Sequence, residues 1–400
     1  MDYTAVGSNP PQAIKSRAGE TNLMKTVLVT GSAGFIGKHV VEALARRPET
    51  KIIGYDIGTL AETLDDALRA ADVIIHLAGV NRPNNASEFK EGNTDFTAMI
   101  CSSLGKDDRK PIFVLASSIQ AALDNPYGVS KREAEQTVEK WVSTGGGRGI
   151  VFRLRNVFGK WCRPNYNSVT ATFCHNIAHD LPVSISDSSR ELELVYIDDV
   201  VAAFMACIDL EASPGFEHRD VPTFHRVTLG ELAAKIFLFR TSRQSLVLPS
   251  FKDEFTRRLY ATFLSYLDGS DFAYRLERRE DPRGSLAEFI KSAEFGQLFV
   301  SRTKPGITRG NHYHHTKTEK FLVVEGEAIV RFRHIGGGDI IEHQVTGREF
   351  TVVDIPPGYT HSIENVGDRE LVTLFWASEI FDPQRPDTTL LPVLTMEQSN

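Results

Sequence analysis

The sequence predicts two fold classes on one chain: a doubly wound parallel α/β sheet followed by an all-β jelly-roll barrel. Three observations carry this. Up to about residue 249, short β-branched runs alternate with helical stretches, the pattern of a parallel sheet covered by helices on both faces. Beyond about residue 270 the pattern becomes short alternating runs cut by Gly and Pro, such as KFLVVEG, AIVRFRHI, EFTVVDIPPG and ELVTLFWA, which read as an antiparallel sandwich or barrel. Six of the chain's twelve histidines fall between His312 and His361, so the back end carries chemistry that the front lacks.

Residues 1–24 are polar, Pro- and Gly-punctuated and without apolar periodicity, which predicts a disordered tail; they lack a signal-peptide pattern, and Met24 reads as a second candidate start. KTVLVT (25–30) suits a buried parallel strand. A glycine turn and a helix to about Arg47 follow, then a strand KIIGYD, a helix AETLDDALRAA and a third strand DVIIHLAG. A helix over 87–104, a strand PIFVLASS, a helix over 127–142 and a strand in the first half of GIVFRLRNVFG complete the alternation. LPSFKDEFTRRLYATFLSYL reads as a helical connector. The expected domains are therefore 25–249, a connector 250–269, and 270–400.

Composition excludes several classes. Fifty-two acidic against forty-five basic residues leave a net charge of −7, so broad electrostatic binding to nucleic acid is not expected. No apolar run approaches the roughly 18 residues needed to cross a bilayer. Cys101, Cys162, Cys174 and Cys207 show no CxxC spacing, which argues against a disulfide framework or zinc ribbon and for a reducing cytoplasm.

Gly31, Gly34 and Gly37 follow the first strand in TGSAGFIG and open a helix, where backbone must turn tightly and approach a pyrophosphate. The bland alternative is an ordinary glycine turn, and the spacing is GxxGxxG rather than GxGxxG. Asp56 ends the second strand, where a carboxylate accepts from the ribose hydroxyls of NAD and repels the extra phosphate of NADP; it also reads as a strand-end turn residue. Tyr127 and Lys131, in YGVSK, share one helix face, and the ammonium is expected to lower the tyrosine pKa. Ser117 and Ser118 both stand where a hydroxyl would orient a substrate carbonyl.

TGSAGFIG, HLAG, the Asn93 segment, the serine pair, YGVSK, RNVFG and VYIDDV together resemble the extended short-chain dehydrogenase/reductases, over about residues 25–245. The resemblance implies a Rossmann-type domain in which Gly31, Gly34, Phe35, Ile36, Gly37, Asp56, Leu77, Ala78, Gly79, Tyr127 and Lys131 meet a nicotinamide dinucleotide. By the same likeness Tyr127 protonates the substrate carbonyl as hydride arrives and Lys131 holds the nicotinamide ribose. Ser118 bonds the carbonyl and Asn93 supports the site. Ser118 lies only nine residues before Tyr127, closer than in the family, which leaves Ser117 as its alternative. Extended members mostly act on nucleotide sugars, gripped in a segment that here holds Arg155, Asn156, Asn165, Asn167 and Ser168.

In the back half, His312-x-His314, then Glu319, then His361 in PPGYTHSIEN give three imidazoles and a carboxylate. Strand alternation puts His312 and His314 on one face, and the set suits Zn²⁺, Fe²⁺, Mn²⁺ or Ni²⁺. Tyr313 and His315 are expected to face away, and His334 and His343 to lie on the surface. The spacing resembles the two cupin motifs, which implies a β-barrel around a metal. DPRGSLAEFIK resembles the substrate segment of nucleotide-deoxysugar 3,5-epimerases, where Arg283 and Glu288 would hold substrate; it also spells a plain turn.

Nearly the whole chain after Met24 resembles the bifunctional enzymes of capsular-polysaccharide and O-antigen synthesis that fuse these two domains. The resemblance implies C3 epimerisation of UDP-2-acetamido-2,6-dideoxy-β-L-arabino-hexos-4-ulose in the cupin domain. Reduction at C4 to UDP-2-acetamido-2,6-dideoxy-β-L-talose follows, on the route to UDP-N-acetyl-L-fucosamine. It further implies Zn²⁺, NADPH and a homodimer through the cupin domain, whereas Asp56 favours NADH. Two other readings are a reductase whose cupin only stabilises or dimerises, and a non-enzymatic cofactor- and sugar-binding sensor.

Overall fold

A computed structural model describes residues 24–106 and 110–394; residues 1–23, most of the expected tail, lie outside the described residues. The chain runs through β1 (Lys25–Thr30), α1 (Phe35–Ala45), β2 (Thr50–Tyr55), α2 (Ala61–Ala70) and β3 (Val73–His76). The helix expected over 87–104 is instead α3 (Ser87–Phe89), a π-helical stretch Lys90–Asp95 and α4 (Phe96–Lys106). Then come β4 (Ile112–Ser118), α5 (Pro126–Ser143), β5 (Arg148–Leu154), β6 (Asn156–Phe158), α6 (Val169–Ala178), β7 (Glu191–Tyr196) and α7 (Ile197–Ile208). Next are β8 (Gly215–Arg219), β9 (His225–Thr228), α8 (Leu229–Ser245) and α9 (Glu254–Leu264).

Two compact units emerge: Met1–Val157 with Leu194–Phe224, and Phe158–Glu193 with His225–Asn400. The division falls inside the stretch 25–249 expected as one domain. The physical reason is that α6, α8 and α9 pack on one another rather than on the parallel sheet.

In the first unit six strands run parallel in the order β2-β1-β3-β4-β5-β8. β3 is buried at all four residues and β4 at six of seven, as strands covered on both faces must be. Alternation along β1 splits the core. Val27 and Val29 pack with Val40, Leu44, Val200 and Phe204 from α1 and α7. Leu28 packs with Leu64, Ile100, Val138 and Trp141 from α2, α4 and α5. The order reverses between β1 and β3, which opens a crevice at the carboxyl ends of those strands.

The second unit continues through β10 (Arg278–Asp281), β11 (Gly284–Ser292), β12 (Gly296–Thr303), β13 (Thr308–Tyr313), β14 (Glu319–Glu325) and β15 (Glu327–His334). β16 (Ile341–Thr346), β17 (Val352–Ile355), β18 (Tyr359–Asn365), β19 (Leu371–Ala377) and β20 (Thr389–Leu390) follow. They form two antiparallel sheets, β10-β11-β12-β19-β14-β17 and β16-β15-β18-β13-β20. β19 alternates strictly between buried and half-buried positions. Phe321, Val323 and Phe375 from one sheet meet Val330, Phe332 and Ile363 from the other. All four cysteines are free and buried. Among the described residues no helix is long and apolar enough to cross a membrane.

Candidate active sites

In the first unit, β1 ends at Thr30 and the chain turns at Gly31, whose φ of +70° is left-handed. A Cβ on Gly31 would stand 2.8 Å from Ala78 N, and one on Gly37 would stand 2.1 Å from Gly31 O. The loop is thus closed against itself and against the Leu77–Ala78 backbone, with no room for a side chain. α1 starts behind Gly34 without a side-chain cap and with no acidic residue in its first turn. An uncapped helix start behind such a loop fits a dinucleotide pyrophosphate. Phe35 and Ile36 pack against the sheet core. The Asp56 carboxylate accepts from Ala33 N at 2.7 Å and from Ile57 N at 2.8 Å, which ties the end of β2 to the glycine loop.

Tyr127 and Lys131 lie in the first two turns of α5, which Asn125 caps by accepting from Gly128 N at 2.8 Å. Lys131 is buried and its Nζ donates to Ala116 O at 3.2 Å. Asn93 sits in the π-helical stretch, donates to Val80 O and Ser130 Oγ, and accepts from Val80 N. A Cβ on Gly79 would meet Asn93 Oδ1 at 2.5 Å and Lys131 Nζ at 3.2 Å, so Gly79, Asn93 and Lys131 converge. Ser118 Oγ accepts from Gln120 N at 3.2 Å, and its hydroxyl is the neighbour that favours the Tyr127 phenolate. Ser117 instead donates to Glu135 Oε1 at 2.5 Å, and Arg153 grips that carboxylate at 2.7 Å. Geometry thus separates the two serines: Ser118 is with the tyrosine and Ser117 is in a buried ion-pair network.

Burial pushes the Lys131 ammonium down to about 8, against the opposing charge of Glu135. Burial raises the Tyr127 phenol, and the lowering contribution comes from Ser118. The YGVSK spacing predicts a tyrosine lowered by Lys131; instead burial raises the phenol, and the lowering contribution comes from Ser118 rather than from the ammonium. His76, in HLAG, is a satisfied core histidine with Thr30 and Thr97 on its two ring nitrogens.

Of the sugar-gripping candidates, Arg155 lies over the Phe224 ring at 3.9 Å, and Asn156 is exposed on β6. In the second unit Asn165 has φ +53° and donates its N–H to Thr172, Asn167 is exposed, and Ser168 caps α6 by accepting from Ala171 N.

Further along the second unit, β13 pairs antiparallel with β18 so that His312 stands opposite His361. The register shifts between Gly310 and His312, where Asn311 takes φ +58°. His314 lies just past β13 and Glu319 opens β14. One ligand atom from each of His312, His314, Glu319 and His361 lies within 4.8 Å of the others. Glu319 Oε2 is 3.4 Å from His314 Nε2 and 3.5 Å from His361 Nε2. Both of those nitrogens are buried with no hydrogen-bond partner. His314 Nδ1 donates to Asp387 O at 2.5 Å, so its Nε2 turns a lone pair toward the carboxylate. Converging lone pairs and a carboxylate repel one another unless a cation sits among them, so the residues fit a divalent metal. Burial first, then the neighbouring imidazoles, push His312 down to about 4, which leaves it a neutral ligand at pH 7.

A cavity opens on this cluster, lined by Phe299, Arg309, His312, Glu319, Phe321 and Phe375 among others. Arg309 Nε donates to Thr303 Oγ1 at 3.0 Å, while its buried Nη2 makes no hydrogen bond and lies 3.8 Å from Asp281. Tyr313 and His315 stack edge to face with each other, and His334 and His343 are exposed. Arg283 pairs with Asp281 at 2.6 Å, and Glu288 with Lys291 at 2.8 Å. Neither lines the cavity.

Residues 27–218 match the NAD dependent epimerase/dehydratase family, and 279–389 match the polysaccharide biosynthesis C-terminal domain. The capsular polysaccharide assembling protein CapF from Staphylococcus aureus has a similar structure, with TM-score 0.84 and 45% identity, over 92% of this chain and 100% of that one. A UDP-2-acetamido-2,6-beta-L-arabino-hexul-4-ose reductase from Pseudomonas aeruginosa is 44% identical over 90% of this chain and 97% of its own length. The chain belongs to the CapF-like family. UDP-glucuronic acid 4-epimerase from Bacillus cereus, solved with UDP-glucuronic acid and NAD, shares the fold of 60% of this CapF-like chain at 16% identity and TM-score 0.52. The epimerase/dehydratase match implies a nicotinamide cofactor in the first unit.

Four residues escaped the sequence reading. Glu135 is one turn beyond Lys131, and the i, i+4, i+8 row from Tyr127 was its signal. Arg309 is three residues from His312, which a regular strand would send to the opposite face; only the bulge brings both to one cavity. His76 is a core residue with no periodic signature, and Asp387 stands in a Pro-rich stretch that gave none.

Proposed function

We propose that this CapF-like chain is a bifunctional nucleotide-sugar enzyme. Its second unit epimerises UDP-2-acetamido-2,6-dideoxy-β-L-arabino-hexos-4-ulose at C3, and its first reduces the C4 ketone to give UDP-2-acetamido-2,6-dideoxy-β-L-talose, toward UDP-N-acetyl-L-fucosamine. The family makes it an oxidoreductase of 4-keto sugar nucleotides; the observation that supports the epimerase half is the pair of buried, unpartnered Nε2 atoms converging on Glu319.

In the first unit a bound nicotinamide supplies the hydride for C4. Tyr127, with Ser118 as its hydroxyl neighbour, holds the proton that the C4 oxygen takes. Lys131, at about 8, is mostly protonated at pH 7, and its charge beside Gly79 and Asn93 suits the nicotinamide ribose. Asp56 opposes a 2′-phosphate, so we read the cofactor as NADH in preference to the NADPH that the family resemblance implies.

In the second unit a bound divalent cation, Zn²⁺ on the donor set, supplies polarisation of the C4 carbonyl. His312, His314, Glu319 and His361 hold it, and the unpaired Arg309 N–H donors offer the cavity a partner for a substrate oxygen. The C3 proton is acidic only while C4 is a ketone, so epimerisation precedes reduction, and fusion raises the effective concentration of the labile intermediate. Four free cysteines support a cytoplasmic setting, and a homodimer through this unit belongs to the same reading.

The test is product configuration by NMR after turnover of the 4-keto UDP-sugar, with metal-replete and chelator-stripped enzyme and with each cofactor. The replete enzyme is expected to give the C3-inverted product and the stripped enzyme the uninverted alcohol. NADH should exceed NADPH in kcat/KM, since the Asp56 carboxylate repels a phosphate at the 2′ position. Unchanged stereochemistry after stripping would leave the cupin a structural module.

A further inference from the structure

Chain beyond β19 returns across the metal-ligand strands. Asp387, with φ +37°, aims two acceptors at one loop. Its main-chain oxygen takes the His314 Nδ1 proton at 2.5 Å. Its carboxylate accepts from the N–H groups of His315, Thr316 and Lys317 at 2.9, 2.9 and 2.8 Å, and from Thr316 Oγ1 at 2.9 Å. One residue therefore clamps 314–317, the connection between β13 and β14, which has His312 and His314 on one side and Glu319 on the other. The strap is itself fixed along the same strands. β20 pairs with β13 at His312 and Tyr313, Leu391 N donates to Asn311 O at 2.9 Å, and Thr360, next to His361, donates to Leu391 O. Val393 is fully buried and Arg333 donates to its carbonyl at 2.9 Å.

We infer that Asp387 is a positioning residue of the metal centre: it sets the His314 tautomer and holds the loop that brings His314 and Glu319 within reach of one ion. This rests on the metal reading of the His312–His314–Glu319–His361 cluster. Partners of this kind orient imidazole ligands, and their loss typically weakens metal affinity about 10- to 100-fold. A mere C-terminal latch would lower the stability of the metal-free chain and leave the affinity of the folded protein unchanged.

The experiment is chelator-competition titration of Zn²⁺ with the full-length chain, alongside thermal unfolding of the metal-free protein. Asp387→Ala keeps the main-chain oxygen on His314 but removes the carboxylate that holds 315–317, and it is expected to bind Zn²⁺ about 10-fold more weakly than wild type while still folded. Asp387→Asn keeps an oxygen acceptor and tolerates the left-handed backbone, and it should fall between the two. Wild-type affinity in Asp387→Ala overturns the inference. If the alanine variant does not fold, wild-type affinity in Asp387→Asn does so instead. Wild-type protein that binds no metal refutes the underlying metal reading, which is a separate outcome.

Discussion

Tyr127→Phe is expected to lower ketone reduction by about 10²- to 10⁴-fold, the range a positioned general acid supplies, while cofactor binding and C3 chemistry persist. The substitution removes one hydroxyl and little else. The ring stays beside Phe89, at 5.6 Å between centroids, Lys131 keeps its bond to Ala116 O, and Asn93 keeps its anchors on Val80 and Ser130. What goes is the proton source beside Ser118. Single-turnover oxidation of NAD(P)H measures the chemical step, and quenching of cofactor fluorescence measures binding. A loss below about tenfold would contradict the role, since a general acid is worth more than that. A sensor of cofactor and sugar would keep its ligand response in the variant.

The second large effect belongs to the ligand pair. His312→Ala with His314→Ala should reduce bound metal from about one ion per chain to near none, because two of four donors leave a site that needs three or four. Without the ion the second unit also loses the stabilisation that tight binding supplies, about 4 kcal/mol at a thousandfold excess over Kd. Metal analysis and calorimetry of the full chain read both. Reduction should survive, since Asn93, Ser118, Tyr127 and Lys131 lie in the other unit. Stoichiometric metal in the double variant would place the ion elsewhere.

Much of this was legible before any coordinates. The strands from Lys25 to Leu154 are near-continuous β-branched runs, which only a sheet buried on both faces requires, and they fall within a few residues of their expected limits. The His312–His314–Glu319–His361 cluster was legible because His-x-His on a strand is a local signal, and Glu319 and His361 sit where the neighbouring strands begin or pair. β8, Gly215–Arg219, was not expected, because GFEHR has no apolar run and owes its place to pairing with β5. The π-helical stretch that turns Asn93 inward depends on one extra residue per turn, to which helical periodicity is blind. The same holds for the bulge at Asn311: one inserted residue reverses strand parity and carries Arg309 into the cavity. Asp387 acts from 73 residues away, its carboxylate and carbonyl meeting a loop mostly at main-chain N–H groups, and such partners leave no trace in residue identity. Ser117 and Ser118 were indistinguishable as letters; Glu135 and Arg153, packed from α5 and β5, separate them.

The most direct measurement is NMR of the 4-keto UDP-sugar in deuterated water with metal-replete wild-type enzyme and no nicotinamide cofactor. Deuterium entering C3, and failing to enter with the His312→Ala, His314→Ala variant, is the predicted result. Retention of the C3 proton by wild-type enzyme that still consumes NAD(P)H would contradict the bifunctional account and leave a reductase alone.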